Sequence, residues 1–291
     1  MSHILTLIAD REATTLSPAT IARVREAVGG GVPDILSPGE AADIPLDRAP
    51  DMDAARAALH GALIDILAVP RRGRRKALLI ADMDSTIVTG ETLDELAAYA
   101  GLKEQIVAIT KRSMNGEMDF ATALRERVAM LKGLSLSALD RTWEGVRLTP
   151  GARELIATMR AHNALTALVS GGFTFFTGRV ADLVGFDLHR ANVLLDDGTA
   201  LTGTVAEPIL DRDAKLAALN ELAAQRGVQL RATMAVGDGA NDLAMIGAAG
   251  MGIAFHAKPI VAQAARHRVD HANLRALLFA QGYKAESFAA G

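Results

Sequence analysis

Two aspartates stand directly after the apolar residues 77–81, in the segment IADMDST. Asp82 and Asp84 are two positions apart, and residues i and i+2 of a strand face the same way. A carboxylate can act as a nucleophile, because aspartate forms aspartyl-phosphates in some enzyme classes. The spacing therefore predicts that both carboxylates reach the same place at the end of a buried strand.

Two other apolar runs, residues 165–169 and 233–236, also end in polar or glycine-rich segments, and a lysine opens a predicted helix between them. Ligands bind outside the carboxyl ends of the strands of a parallel sheet, so these groups are expected to converge. The residues in question are Ser170, Gly171, Gly172, Gly237, Asp238, Asn241, Asp242 and Lys215.

Clustered carboxylates repel one another unless a cation lies among them. Oxygen ligands without cysteine or clustered histidine favour Mg²⁺. Such an ion beside a hydroxyl, backbone N–H groups and the Lys215 ammonium forms a site for a phosphoryl group. Each feature alone has an ordinary explanation, such as a helix cap at Asp84, a turn at Ser170 or a solvated Lys215. The combination favours phosphoryl chemistry.

The elements that must position these residues begin at residue 77. Residues 77–81, 165–169, 233–236 and 252–255 are near-continuous apolar runs, which are typical of parallel strands covered on both faces. The pattern predicts an α/β fold, a doubly wound parallel sheet. More than 80 residues separate the first two strands. One crossover needs far fewer, so an inserted helical cap is expected.

Residues 1–72 are predicted to form a separate small α+β domain. Strands are expected at 4–9, 42–46 and 64–69, and helices after Ser17-Pro18 and over 52–62. The catalytic core is then 76–90 with 150–291, and the cap is 91–149. The basic run 70–76 is interpreted as a solvated linker, because it is short and lacks interleaved aromatics.

The composition excludes several classes of protein. Half of the 291 residues are hydrophobic, 22% are charged and the net charge is −3, so a core can form and nothing attracts nucleic acid or an anionic membrane. The absence of cysteine excludes disulfides and thiolate metal sites. No apolar run reaches the roughly 18–20 residues of a membrane span, and the N-terminus does not resemble a signal peptide. A soluble, cytoplasmic protein is expected.

Four motifs match a known family in order and spacing, and they are Asp82-x-Asp84-x-Thr86, Ser170-Gly171, Lys215 and Gly237-Asp238-x-x-x-Asp242. The chain resembles the haloacid-dehalogenase-like (HAD) phosphatases and, within them, the phosphoserine phosphatase branch, over residues 76–280. The first 70 residues loosely resemble an ACT-like domain, which implies amino-acid binding or a homodimer contact. The matching segments are DMDSTIVTGETLDELA, MNGEMDFATALRERV, VSGGF, Lys215 and VGDGANDLAM.

The resemblance implies a role for each carboxylate. Asp82 attacks phosphorus and becomes phosphorylated. Asp84 protonates the leaving oxygen and then activates the water that hydrolyses the aspartyl-phosphate. Mg²⁺ is held by the Asp82 carboxylate, the Asp84 backbone carbonyl and Asp238, with Asp242 in a supporting position.

The resemblance also implies the phosphate contacts. Ser170, the Gly171 N–H and Lys215 neutralise the phosphoryl oxygens as charge develops in the transition state. Asn241 binds phosphate or supports Ser170.

The cap is expected to select the substrate, because it contacts the part that is not phosphate. Glu91 can pair with an ammonium and Arg127 can clamp a carboxylate, which together describe O-phospho-L-serine. Arg125 is a competing candidate, but it points in a different direction from Arg127 on a helix. Met114, Phe120 and Val128 are candidates for the apolar side of the pocket.

The expected function is therefore hydrolysis of O-phosphoserine, the last step of serine biosynthesis. One alternative keeps the chemistry but transfers the phosphoryl group to an acceptor alcohol or acts on another small phosphorylated metabolite. A non-enzymatic alternative is a signalling receiver that stores phosphate on an aspartate, although receivers need no such cap. His267 and His271 are four apart, but the segment is interpreted as a short strand rather than a metal site.

Overall fold

The structure is a computed structural model that describes residues 2–114 and 117–290, with the side chain of Met114 excluded. The strands are β1 (His3–Ala9), β2 (Asp34–Ser37), β3 (Ala41–Leu46), β4 (Ile64–Pro70), β5 (Leu78–Ala81), β6 (Leu165–Phe173), β7 (Leu188–Asn192), β8 (Leu194–Asp196), β9 (Leu201–Val205), β10 (Thr233–Gly237), β11 (Met251–Phe255) and β12 (His267–Val269). The helices are α1 (Pro18–Val28), α2 (Met52–Ala57), α3 (Thr92–Tyr99), α4 (Lys103–Met114), α5 (Phe120–Ala129), α6 (Ser137–Gly145), α7 (Ala152–Ala161), α8 (Thr174–Val184), α9 (Arg212–Gln225), α10 (Leu243–Ala248), α11 (Pro259–Ala264) and α12 (Ala276–Ala280). Among these described residues, none of the helices combines the length and apolar character that a membrane crossing requires.

The N-terminal residues form an antiparallel sheet in the order β2-β3-β1-β4. Helix α1 begins where expected, because the Ser17 hydroxyl accepts from the Thr20 N–H (3.1 Å) and Pro18 occupies the first turn. Alternate residues of β1 face opposite sides: Leu5 packs with α1 and α2, whereas Ile4 joins the core of the following unit. The sheet is therefore covered on both faces.

The basic segment 70–76 lies between the two sheets. The interpretation of this segment as a solvated linker was wrong for Arg74 and Lys76. The Arg74 side chain is 11% exposed and donates to Asp43 Oδ1 (3.1 Å) and to the Phe279 carbonyl (3.1 Å). The Lys76 ammonium donates to the carbonyls of Gly73 (2.9 Å) and Arg231 (2.7 Å). These charges are buried because each has an oxygen partner from a distant part of the chain.

Two buried carboxylates of the N-terminal unit also bind the rest of the protein. Asp65 accepts from three successive backbone N–H groups of residues 270–272, at 2.8–3.1 Å. Glu40 accepts from Arg275 at 2.7 Å and 3.0 Å. Asp65 lies near His271 and Asp270. Because its oxygens already bond to backbone, that group of three acts as a structural contact.

The large sheet has the order β12-β11-β10-β5-β6-β7, and all its neighbouring pairs are parallel. Helices α9 and α10 cover one face and α7, α8 and α12 cover the other. The doubly wound α/β fold is confirmed. The strands that carry the expected site residues, β10, β5 and β6, are adjacent, so their carboxyl ends lie side by side.

We call residues 91–149 the cap. Helices α3–α6 of the cap pack on one another and above the carboxyl ends of the strands. Its two connections to the core pair as a short antiparallel ribbon, with Val88 bridging to Leu148 and the Thr89 N–H donating to the Arg147 carbonyl (3.0 Å). The cap thus leaves and rejoins the core at one place.

A hairpin formed by β8 and β9 projects from the core onto the cap. The Gly133 N–H donates to the Leu201 carbonyl (2.8 Å), and the Leu201 N–H donates to the Leu134 carbonyl (2.9 Å). Its base is closed by the Ala206 N–H on the Val193 carbonyl (2.9 Å). The hairpin was not anticipated from the sequence.

Several element ends differ from expectation. The helix predicted over 52–62 stops at Ala57, because His60 (φ 52°) and Gly61 (φ 77°) adopt left-handed conformations. The strand expected over 165–169 continues to Phe173. The segment beginning at His267 is a strand, as interpreted from the sequence.

Candidate active site

Asp82 and Asp84 line one cavity of about 520 Å³ between the strand ends and the cap. The Asp82 N–H donates to the Val236 carbonyl (3.0 Å), which extends the pairing of β5 with β10 by one residue. Strand β5 itself ends at Ala81, and Ser85 turns the chain with φ 54°. Both side chains therefore reach the cavity from the turn after the strand rather than from the strand itself.

Asp84 lies at the contact between core and cap. Its Oδ1 accepts from the Thr92 N–H (2.8 Å), and a Cβ on Gly172 would lie 3.0 Å from its Oδ2. Burial and then the Glu91 carboxylate raise the pKa of Asp84 to about 8. A raised pKa favours the protonated form of this carboxyl, which is the form required of a general acid.

Lys215 joins two of the acidic residues. Its ammonium lies 2.7 Å from Asp82 Oδ1 and 2.7 Å from Asp242 Oδ1, and the residue is fully buried. Burial alone would lower the pKa of Lys215, but the Asp242 and Asp82 carboxylates outweigh that effect and the net shift is upward. Helix α9, which begins at Arg212, places this lysine beneath the cavity.

Asp82, Asp238 and Asp242 form a buried carboxylate cluster, with one oxygen of each within 4.8 Å of the others. Burial and the Asp82 charge raise the pKa of Asp238 to about 7 and that of Asp242 to about 6. Asp242 is already bonded to Lys215 and to the Gly239 N–H (3.0 Å). The oxygen-only donor set fits a hard divalent cation, with Asp82 and Asp238 better placed than Asp242 to hold it.

The segment Ser170-Gly171-Gly172 forms the wall next to Asp84. The Gly172 N–H donates to Ser170 Oγ (2.9 Å), so the Ser170 hydroxyl hydrogen remains available for another acceptor. A Cβ on Gly171 would lie 2.9 Å from the Phe120 ring and 4.0 Å from Asn241 Nδ2. A larger residue at this position would therefore displace the Phe120 ring of the cap.

The cap supplies Glu91 and Arg127 to the same cavity. Glu91 accepts from the Ser85 hydroxyl (2.8 Å). The Arg127 guanidinium donates to the Ala123 carbonyl (3.1 Å) and to Thr110 Oγ1 (3.2 Å). Arg125, the competing candidate, is exposed and pairs with Glu207 outside the cavity.

The three apolar candidates have different positions. Phe120 lines the cavity, and Val128 is fully buried in the core of the cap. The side chain of Met114 lies outside the described part of the structure.

Lys258 is a cavity residue that the sequence reasoning missed. Its ammonium lies 3.4 Å from Asp238 Oδ2 and 3.9 Å from Glu91 Oε1. It follows β11, and the rule that ligands bind at the carboxyl ends of parallel strands could have identified it, because residues 252–255 were predicted as a strand.

Comparisons with known proteins identify the family of the chain. The profile of the haloacid dehalogenase-like hydrolases matches residues 79–247, more than half of the 291 residues. A phosphoserine phosphatase of Streptomyces coelicolor is 41% identical over 80% of this chain. A HAD family hydrolase of Salmonella enterica serovar Typhi has a similar structure, with a TM-score of 0.85, 28% identity and coverage of 95% of this chain and 97% of that one. A phosphoserine phosphatase solved with substrate bound gives a TM-score of 0.67 at 38% identity, covering 70% of this chain and 98% of its own.

The match to the Streptomyces protein covers 57% of that protein's length. Two further curated phosphoserine phosphatases are covered to 51% and 58%. The chain therefore spans little more than half of these relatives.

Proposed function

The chain belongs to the haloacid dehalogenase-like hydrolase family, and on this premise we propose that it is a Mg²⁺-dependent phosphatase that hydrolyses O-phospho-L-serine to L-serine and phosphate. One observation supports this substrate above others. Glu91 and Arg127, of opposite charge, line the cavity that contains the Asp82–Asp84 pair. An α-amino acid presents the complementary charges, an ammonium and a carboxylate.

Asp82 is the proposed nucleophile. Its carboxylate attacks phosphorus, the bond to the serine oxygen breaks, and an aspartyl-phosphate forms. Lys215, 2.7 Å away, favours the ionised form of Asp82. An ammonium has three N–H donors and this one has two carboxylate neighbours, so one donor remains for a phosphoryl oxygen.

Asp84 is the proposed acid and base. As an acid it gives its proton to the departing serine oxygen, and as a carboxylate it then removes a proton from the water that attacks the aspartyl-phosphate. The bond from the Thr92 N–H holds the carboxyl in place during both steps. Phosphate is released and Asp82 is regenerated.

The remaining groups are proposed to bind the phosphoryl oxygens and the metal. The Ser170 hydroxyl, the Gly171 N–H and the Asn241 amide donate to the phosphoryl group as its charge spreads. The Asp82 and Asp238 carboxylates and the Asp84 backbone carbonyl would hold Mg²⁺, with Asp242 supporting. When bound, Mg²⁺ would neutralise charge on the phosphoryl oxygens.

We propose that the chain divides into an N-terminal unit (1–72), a core (76–90 and 150–291) and a cap (91–149). Only the core and cap carry proposed catalytic or substrate contacts.

The test is phosphate release from a panel of esters in the presence of Mg²⁺. O-phospho-L-serine should be hydrolysed fastest, ahead of phosphoethanolamine, phosphoglycolate and a sugar phosphate, which lack the carboxylate, the amine or both. Asp82→Asn tests the proposed nucleophile and should reduce kcat by a factor on the order of 10⁴ or more. Equal rates across the panel would refute the substrate, and an active Asp82→Asn variant would refute the mechanism.

A further inference from the structure

Lys258 occupies a position between the core and the cap. Its backbone N–H donates to the Asp238 carbonyl (3.0 Å), so the start of α11 is fixed against the loop that follows β10. Its ammonium lies between Asp238 (3.4 Å) and Glu91 (3.9 Å), which belong to the core and the cap respectively. The side chain therefore bridges two carboxylates on different parts of the molecule.

The contacts of Lys258 are looser than those of Lys215, the buried lysine beneath the cavity. Lys215 lies 2.7 Å from each of two carboxylates and its side chain is 1% exposed. Lys258 makes both contacts beyond 3.3 Å, and its side chain is 38% exposed. An ammonium held this loosely and in contact with solvent can exchange partners at small cost.

Both carboxylates beside Lys258 have other cations as partners in the proposed function. Asp238 is one of the metal ligands, and Glu91 pairs with the ammonium of the substrate. When these cations bind, they repel the Lys258 ammonium and displace it from both carboxylates. In the proposed function the phosphoryl group binds beside Ser170 and Asn241, which line the same cavity as Lys258, and it offers the ammonium another anionic partner.

We propose that Lys258 is an exchangeable counter-ion of this site. Its ammonium neutralises Asp238 and Glu91 in the free protein and moves to contact the phosphoryl oxygens when the ligand is bound. This inference rests on the proposed function. It adds a substrate-positioning residue that competes with the metal before the ligand binds and assists phosphate afterwards.

Two binding constants test the proposal without any turnover. The first is the affinity for Mg²⁺ alone, and the second is the affinity for inorganic phosphate at saturating Mg²⁺, both by titration calorimetry. Lys258→Met keeps most of the side-chain length and removes the charge. It should bind Mg²⁺ about 5-fold more tightly, because a competing cation is gone. It should bind phosphate about 10-fold more weakly, because a charged hydrogen bond is lost.

Two matched variants complete the experiment. Lys258→Arg retains the positive charge and should resemble the wild type in both constants. Lys103→Met removes an exposed lysine that pairs with Glu95 on the cap and should change neither. Unchanged or weaker Mg²⁺ binding by Lys258→Met overturns the proposal, and so does unchanged phosphate binding. Because Mg²⁺ and phosphate are common to phosphomonoester hydrolysis, a wrong substrate assignment would appear in the ester panel and leave these two constants as predicted.

Discussion

The Asp84 carboxylate accepts a 2.8 Å hydrogen bond from the backbone N–H of Thr92, the first residue of α3. The proposed acid and base of the core is thus bonded directly to the first helix of the cap. Asp82 has no such contact with the cap among the described residues, because its neighbours are Lys215 and the carboxylate cluster. The proposed proton transfer and the position of the cap are therefore linked through one hydrogen bond.

Asp84→Asn should lower kcat for phosphoserine by a factor of about 10²–10⁴, the usual contribution of a general acid or base. The asparagine oxygen can still accept from the Thr92 N–H, so the fold should be unchanged. An aryl phosphate ester needs little protonation of its leaving group, so this variant should form the aspartyl-phosphate and fail to hydrolyse it. Mass spectrometry of the acid-quenched protein measures the accumulated phosphoprotein.

Asp84→Ala is the comparison variant and should have the same kinetics. It also removes the hydrogen bond from the Thr92 N–H, so the protein should lose about 1 kcal/mol of stability. Rapid turnover by either variant would contradict the role of Asp84.

Arg127→Ala should raise KM for phosphoserine about 10–100-fold, the value of a charged hydrogen bond to a carboxylate. KM for phosphoethanolamine, which lacks the carboxylate, should stay the same. Steady-state phosphate release with both substrates measures the difference. Arg125→Ala on the same helix is the matched control, because its partner Glu207 lies outside the cavity. If Arg125→Ala raises KM and Arg127→Ala does not, the wrong arginine has been assigned to the substrate.

Lys215→Met should reduce both activity and stability. Loss of one transition-state charge contact should lower kcat by a factor of about 10²–10³. Two buried carboxylates lose their cation, so the free energy of unfolding in urea should fall by about 3–5 kcal/mol. Adding Asp242→Asn removes one of the uncompensated charges and should restore part of the stability but none of the activity. A single variant as stable as the wild type would show that the ion pairs of Lys215 contribute little.

His267 should make the protein sensitive to acid. Burial lowers its pKa to about 4, with Arg266 and Lys76 acting in the same direction. The unfolded chain, with a histidine pKa near 6.5, binds the proton more readily, so stability is lost as pH falls from about 6.5 to 4. The loss expected from this residue is about 3 kcal/mol. Urea unfolding of the wild type and of His267→Gln across this range should show a difference that grows as pH falls, and parallel curves would contradict the assignment.

Much of the fold could be predicted because its signals are local. Apolar runs that end in Asp82, Ser170 and Asp238 predicted strands whose carboxyl ends meet, and the structure places those strands next to one another. The family resemblance and the α/β class are confirmed. The roles of the individual site residues remain predictions.

The parts that could not be predicted depend on partners far away in sequence. Arg74 appeared to be a solvated charge because its partner, Asp43, lies 31 positions earlier, and the carbonyls it contacts lie more than 200 positions later. The pairing of the β8–β9 hairpin with the cap is likewise non-local. Lys258 is different, since its place after a predicted strand was an available signal.

The cap has a second attachment through the β8–β9 hairpin, and both attachments are two-stranded. Any displacement of the cap from the core must therefore bend the ribbon at Val88 and Leu148 and also bend the hairpin or break its hydrogen bonds with Gly133 and Leu134. Two separate attachments restrict such a displacement more than one would, and this restraint acts on the placement of Glu91 and Arg127 relative to Asp82 and Asp84.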